Sequence, residues 1–213
     1  MLTARLLTQY LAAAKHMKEF TDELRRQLTL HLAGVAVSSE VDPITTGWVR
    51  TFTTSVDTEV RTEWMHQVGW LLRQMPAETV EHQWERWMRR YWQDRLVSVP
   101  TQLTLEEASA MACWVIYLTS SVADGVALAT AYSARLIEHS NLLHDLTDER
   151  VARAPALLAT LLAHLLRGNQ QPFYDCHFLR DVVRRLREQP TPADVTAILD
   201  QAVRLGCSDA PTW

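Results

Sequence analysis

The stretch HQWERWMRRYWQDRL, residues 82–96, holds three tryptophans, one tyrosine and four arginines. It is either an exposed surface that stacks nucleic-acid bases or the inward face of a helix with charge on its other side. On a helix of about 100° per residue, one stripe collects the large apolar side chains Trp84, Trp87, Met88, Tyr91 and Trp92. The opposite side collects Arg86, Arg89 and Arg90, which separates the rings from the charge. Because each buried aromatic contributes about 1.5–3 kcal/mol, we interpret the stripe as core. A base-stacking surface and a partner-binding face stay open as alternatives.

The same helical periodicity extends outward along the chain. Apolar residues recur three to four positions apart in most segments, and no segment alternates with a period of two. With only 6 glycines and 8 prolines, helices joined by short turns are favoured. We therefore predict an all-α fold without a sheet, an array of antiparallel helical hairpins that is HEAT-like or an irregular bundle. We expect a single domain over residues 1–213, with an N-terminal helix and loop over 1–40 and the array over 43–213.

Start and stop signals place several of these helices. Residues 43–75 are expected to form one interrupted helix or two consecutive ones. Thr104 precedes Glu107 by three positions, which is the spacing of a capping box at a helix start. A buried helix is expected to end at Gly168, and an earlier one to run through Leu136. Thr191 is expected to cap the last helix.

Composition and charge limit the classes of function. The net charge of −4 argues against a general nucleic-acid binder, which usually carries a basic excess. Three widely spaced cysteines, Cys113, Cys176 and Cys207, do not form the pattern of a disulfide framework, so a reducing compartment is the simplest interpretation. No apolar stretch is long enough to span a membrane. These features predict a cytoplasmic protein.

Residue types that carry chemistry occur in the second half of the chain, but without diagnostic spacing. The candidates for a zinc site are His139, His144, Asp145, His164, Asp175, Cys176 and His177. His139 and His144 fall on different helix faces, and no paired Cys-x-x-Cys or His-Glu-x-x-His occurs. Cys176 and His177 are neighbours that would point apart, which disfavours a nucleophile–base pair. We predict no catalytic, cofactor or metal residues.

One charged helix face is a stronger candidate for a functional surface than the histidines and cysteines are. In RDVVRRLRE, residues 180–188, Arg180, Arg184 and Arg187 share one side of a helix. A solvated surface is one interpretation, and a docking site for an acidic partner or a phosphate backbone is the other. With Arg86, Arg89 and Arg90, these arginines are our candidates for partner binding.

The region around the opening stretch resembles a known family. It has the form Trp-x6-Tyr-Trp-x2-Arg, a Pro-x2-Leu link, and Glu-x4-Met-x2-Trp. These positions are Trp84, Tyr91, Trp92, Arg95, Pro100, Leu103, Glu106, Met111 and Trp114. With HSNLLHDL, they resemble the C-terminal domain of unknown function of large bacterial sirtuin-like antiphage defence proteins. The resemblance covers about residues 60–213.

The resemblance implies a HEAT-like helical array that serves antiphage defence as a sensing or assembly region. NAD-consuming chemistry would belong to the sirtuin-like domain, and this chain has no dinucleotide fingerprint. We therefore expect a non-enzymatic adaptor or scaffold that binds a larger effector protein. The alternatives are a small subunit of a CRISPR-type ribonucleoprotein, whose arginines would contact phosphates, and a small helical enzyme with scattered site residues.

Overall fold

The computed structural model describes residues 29–30, 33–34, 47, 53, 56–74, 103–117, 122–137 and 142–213. The chain divides into two compact units, Met1–Glu107 and Ala108–Trp213. All regular structure in the described residues is helical and none of it is strand, which confirms the all-α prediction. The stretch of residues 82–96 lies outside the described residues, so the prediction that its aromatic stripe belongs to the core stays a prediction.

Helix α1, Thr58–Arg73, belongs to the first unit. This helix begins within residues 43–75, where the sequence predicts one interrupted helix or two consecutive ones. Its start is capped, because an Asp57 carboxylate oxygen accepts the Val60 N–H at 2.9 Å. One face of α1 is buried, and its members include Val60, Trp64, Val68 and Leu72. The i, i+4, i+8 spacing of these residues is that of a helix with one face toward the core.

Helix α2, Leu105–Trp114, begins at the predicted capping signal. The Thr104 hydroxyl accepts the Glu107 N–H at 3.2 Å, which confirms the N-terminal cap. The apolar residues that follow Glu107 are buried, from Ala108 to Trp114. The cap therefore fixes where α2 begins, and the apolar residues that follow it form the buried part of the helix.

The second unit contains six further α-helices and two 3-10 turns in its described residues. The 3-10 turns are Val115–Tyr117 and Ala210–Thr212. The helices are α3 (Val122–Tyr132), α4 (Leu142–Asp145), α5 (Asp148–Arg153), α6 (Pro155–Gly168), α7 (Cys176–Arg187) and α8 (Thr196–Arg204). Helix α6 is central, because it packs against α3, α5, α7 and α8. Its leucines Leu158, Leu161, Leu162, Leu165 and Leu166 are buried.

Helix α6 ends at Gly168, as predicted, but the physical reason differs from a left-handed cap. A Cβ on Gly168 would lie 2.4 Å from the carbonyl oxygen of Ala134. Glycine is thus required by the close approach of another backbone segment. That segment is tied down because the Leu136 N–H donates to the Asn169 side-chain oxygen at 3.0 Å.

Helix α3 was predicted to run through Leu136, and this was wrong. It ends at Tyr132, and Ser133 adopts a φ of 52° that turns the chain out of the helix. The extended residues that follow cross the end of α6, where the Leu136 N–H also lies 3.3 Å from the Leu165 carbonyl. Tertiary hydrogen bonds therefore replace the last turn that periodicity predicted.

The start of the last helix was also predicted wrongly, at Thr191. Helix α8 begins at Thr196, where the Asp194 carboxylate accepts the Thr196 N–H at 2.9 Å. The residues before it fold back on α7, since the Ala193 N–H donates to the Leu186 carbonyl at 3.2 Å. The side chains of Ala193 and Val195 are buried, which anchors this connection against the core.

Helix α8 returns to the end of α6 through Arg204. The Nη2 of Arg204 donates to the carbonyls of Leu166 at 2.8 Å and Asn169 at 3.0 Å. Carbonyls at a helix C-terminus lack partners within the helix, and a cation there opposes the negative end of the helix dipole. Arg204 therefore caps α6 from another element. Across the described residues, no helix is both long and apolar enough to cross a membrane.

Candidate interaction surface

Helix α7 has two chemically different faces. Leu179, Val182, Val183 and Leu186 are buried. Arg180, Arg184 and Arg187 are exposed, and we call these three residues the arginine face. The division follows from helical spacing, because apolar residues at i, i+3, i+4 and i+7 leave the intervening positions to solvent.

Two members of the arginine face keep their charge largely available. In the part of the chain that the structure describes, Arg180 makes no hydrogen bond or ion pair. Arg184 lies 3.7 Å from the Asp181 carboxylate, and 62% of its side chain is exposed. Exposed pairs at this distance contribute little, so Arg184 can exchange this contact for another acid.

The remaining arginines of α7 have structural contacts. The Nη1 of Arg187 donates to the backbone oxygen of Trp213, which ties this arginine to the C-terminal segment. Arg185 donates to the Leu146 carbonyl at 3.0 Å and lies 3.2 Å from the Asp148 carboxylate. The available charge is therefore concentrated at Arg180 and Arg184. Arg86, Arg89 and Arg90 lie outside the described residues, and their role stays a prediction.

Two of the three cysteines are bonded to each other, contrary to the prediction from the sequence. Cys176 and Cys207 form a disulfide with a Cα–Cα distance of 5.7 Å, although their spacing suggested unpaired thiols. Folding of α7 and α8 against α6 brings together two residues that are 31 positions apart. Cys113 is free and buried, and burial raises the pKa of its thiol to about 12.

The described histidines do not assemble into a metal centre. His144 Nδ1 lies 3.7 Å from the carboxylate of its neighbour Asp145, and that carboxylate accepts the Tyr117 hydroxyl at 2.7 Å. His177 packs on Phe178, with ring centroids 4.0 Å apart. No group of three potential metal ligands occurs in the described ranges, and His139 falls outside them.

His164 has an altered protonation equilibrium. Burial, and then the positive charge of Arg167, lower the pKa of His164. Its Nε2 lies 3.4 Å from the Thr130 hydroxyl on α3. A neutral imidazole is thus favoured at the contact between α6 and α3.

A buried ion pair in the first unit escaped the sequence interpretation. The sequence predicts Glu107 only as part of a capping box, but its side chain is fully buried and its Oε1 lies 3.0 Å from Arg61 Nε. The sequence does contain an indication of this pair, because Arg61 lies on the same buried face of α1 as Trp64 and Val68. A charged residue on such a stripe requires a partner.

Comparisons with known proteins identify one family. The model for a domain of unknown function, DUF4020, matches residues 37–176, about two thirds of the chain. No curated protein and no solved structure matches. The match includes Arg61 and Glu107 and ends at Cys176, so the arginine face lies beyond it. The resemblance to a domain of unknown function is confirmed over this range, and the chain belongs to the DUF4020 family.

Proposed function

We propose that this protein is a non-enzymatic α-helical adaptor that binds an acidic surface of a larger effector protein through its arginine face. The observation that carries the proposal is the available charge at Arg180 and Arg184. Both arginines are exposed on a helix whose other face is anchored in the core. Exposed guanidinium groups on an anchored helix suit carboxylate recognition. The helix fixes the spacing of the two arginines, and their side chains can adjust to a bound carboxylate.

Charge complementarity favours a protein partner over nucleic acid. The chain as a whole carries a net charge of −4, whereas a general nucleic-acid binder usually carries a basic excess. A local pair of arginines can still bind a few carboxylates at short range. Such rim charges mainly set association rate and partner selection.

The proposal also includes the process and the compartment in which this adaptor acts. The resemblance to the helical region of sirtuin-like defence proteins supports a role in bacterial antiphage defence, in the cytoplasm, within an array of helical hairpins. The all-α structure of the described residues supports the helical part of this proposal. The effector would supply the chemistry, and this chain would supply the docking surface.

Purification of the tagged full chain from its native host at moderate salt tests the proposal. Recovery of one large protein in a fixed ratio, and its loss from the Arg180→Glu variant, is the expected result. The matched control is Arg167→Glu, which makes the same charge change at an exposed position on α6. Recovery of RNA with several other subunits would contradict the adaptor and support the ribonucleoprotein.

A further inference from the structure

The disulfide Cys176–Cys207 joins the start of α7 to the turn after α8, and the proposed function assigns no role to this bond. Cys176 is the first residue of α7, and Cys207 follows α8. In the cytosol such bonds are transient, because thiol systems reduce them. A disulfide in a protein predicted to be cytoplasmic therefore raises the question of what its opening would do.

The two bonded cysteines differ in exposure. Cys207 is 1% exposed, and its N–H donates to the Ala202 carbonyl at 2.9 Å within the packed turn after α8. Cys176 is half-buried and lies two residues after Tyr174, which is 87% exposed. Thiol–disulfide exchange requires a thiolate to reach one sulfur, so access directs the attack to Cys176.

The bond holds the C-terminal segment, which we define as residues 208–213. Ala210 is buried against α8, and the backbone oxygen of Trp213 accepts a hydrogen bond from Arg187. On the other side of the bond, the Phe173 N–H donates to the Leu205 carbonyl at 2.8 Å. In the described residues, this disulfide is the only covalent cross-link, beyond the main chain itself, between α7 and the turn that precedes this segment.

We propose that Cys176–Cys207 is a thiol-exchange site that small thiols open by attack on Cys176 Sγ, and that opening loosens the C-terminal segment and releases Arg187. The attacking thiolate forms a bond to Cys176 Sγ while the S–S bond breaks. Its electron pair passes to Cys207 Sγ, which takes up a proton. A second thiol then attacks the sulfur of the bound reductant, frees Cys176 as a thiol and leaves as the oxidised disulfide.

The release of Arg187 would add a third available charge to the arginine face. Only this consequence rests on the proposed function. The exchange chemistry and the loosening are measured without a partner, so they can fail while the adaptor role stands, and the reverse also holds.

The test uses the full chain purified in air, with Cys113→Ser to remove the one free thiol in the described residues. Reduced glutathione is the probe, and peptide mass mapping locates its adduct. We expect an intact disulfide before treatment and a mixed disulfide on Cys176 afterwards. An absent disulfide, an adduct on Cys207, or a bond that resists excess glutathione would each overturn the exchange site.

Hydrogen–deuterium exchange tests the loosening. Residues 208–213 should exchange faster in the reduced protein than in the oxidised protein, and the thermal midpoint should fall by about 10 °C because the unfolded chain loses a constraint. The Cys176→Ser/Cys207→Ser variant is the permanently open reference and should match the reduced form. Unchanged exchange of these residues on reduction would overturn the release, whether or not the double variant folds.

Discussion

Arg61 and Glu107 form a buried ion pair, with Nε 3.0 Å from Oε1 and side-chain exposures of 8% and 0%. The guanidinium also donates from Nη1 to the Thr53 carbonyl at 2.7 Å and to the Val56 carbonyl at 3.3 Å. Nε itself makes no aligned hydrogen bond, so Glu107 neutralises the arginine as a close charge. The pair ties the approach to α1 to the start of α2 within the first unit.

Removal of one partner should destabilise the first unit strongly. We expect Glu107→Leu to lower the free energy of unfolding by about 3–5 kcal/mol, because it leaves the Arg61 charge buried without its acid. Urea denaturation followed by tryptophan fluorescence measures this change. The double variant Arg61→Met/Glu107→Leu should recover much of the loss, since it removes both charges. A double variant less stable than Glu107→Leu would contradict the pairing.

Gly168→Ala should destabilise the second unit, although this exchange normally favours a helix. The new Cβ would lie 2.4 Å from the Ala134 carbonyl oxygen, so backbone must move. We expect a loss of about 1–3 kcal/mol in thermal or urea unfolding. Gly47→Ala is the control, because its Cβ would meet no atom within 4 Å in a helical position. A Gly168→Ala protein at least as stable as wild type would refute the close approach.

Arg204→Ala should weaken the end of α6. The substitution removes the donors to the Leu166 and Asn169 carbonyls, and we expect a loss of about 1 kcal/mol. Amide hydrogen exchange in the last turn of α6 should increase together with this loss of stability. Arg180→Ala serves as the control, since it removes an exposed arginine without such contacts, and should lie within about 0.5 kcal/mol of wild type. Equal stability of the two variants would argue against the cap.

His164 should make the second unit less stable in mild acid. Its pKa is lowered by burial and by Arg167, so the unfolded chain binds a proton at a higher pH than the folded protein does. The stabilisation is complete above the unfolded pKa of about 6.5. It is lost as pH falls from there toward the lower folded pKa. Urea unfolding from about pH 8 to 5 measures this slope.

The His164→Gln variant should have a shallower dependence of stability on pH than wild type. His144→Gln, which removes an exposed histidine, is the control for the loss of an imidazole. Identical slopes in wild type and His164→Gln would show that His164 does not contribute.

Local signals in the sequence predicted the helices that local interactions define. The run of leucines from Leu158 to Leu166 predicted the buried helix α6, and Thr104 predicted the start of α2. The all-α fold followed because helical spacing recurs through the chain. The candidate arginines of α7 were also predictable, since helical geometry alone separates Arg180 and Arg184 from Leu179 and Val183.

Features that depend on distant parts of the chain were not predictable in the same way. The end of α3 at Tyr132 depends on hydrogen bonds to α6, and the Cys176–Cys207 bond depends on how α7 and α8 pack. The Arg61–Glu107 pair joins two helices whose relative position no local pattern encodes. In each case a tertiary contact overrides or completes the local preference.

The adaptor role requires that the arginine face bind a protein partner, and an equilibrium binding measurement tests this requirement. The dissociation constant of the co-purified effector should be determined for wild type, Arg180→Glu/Arg184→Glu and the control Arg167→Glu, each with its fold verified by circular dichroism. We predict that the double reversal weakens binding at least about tenfold, which is roughly 1.4 kcal/mol, while the control binds as wild type does. Equal weakening by the control, or unchanged binding by the double reversal, would contradict the claim.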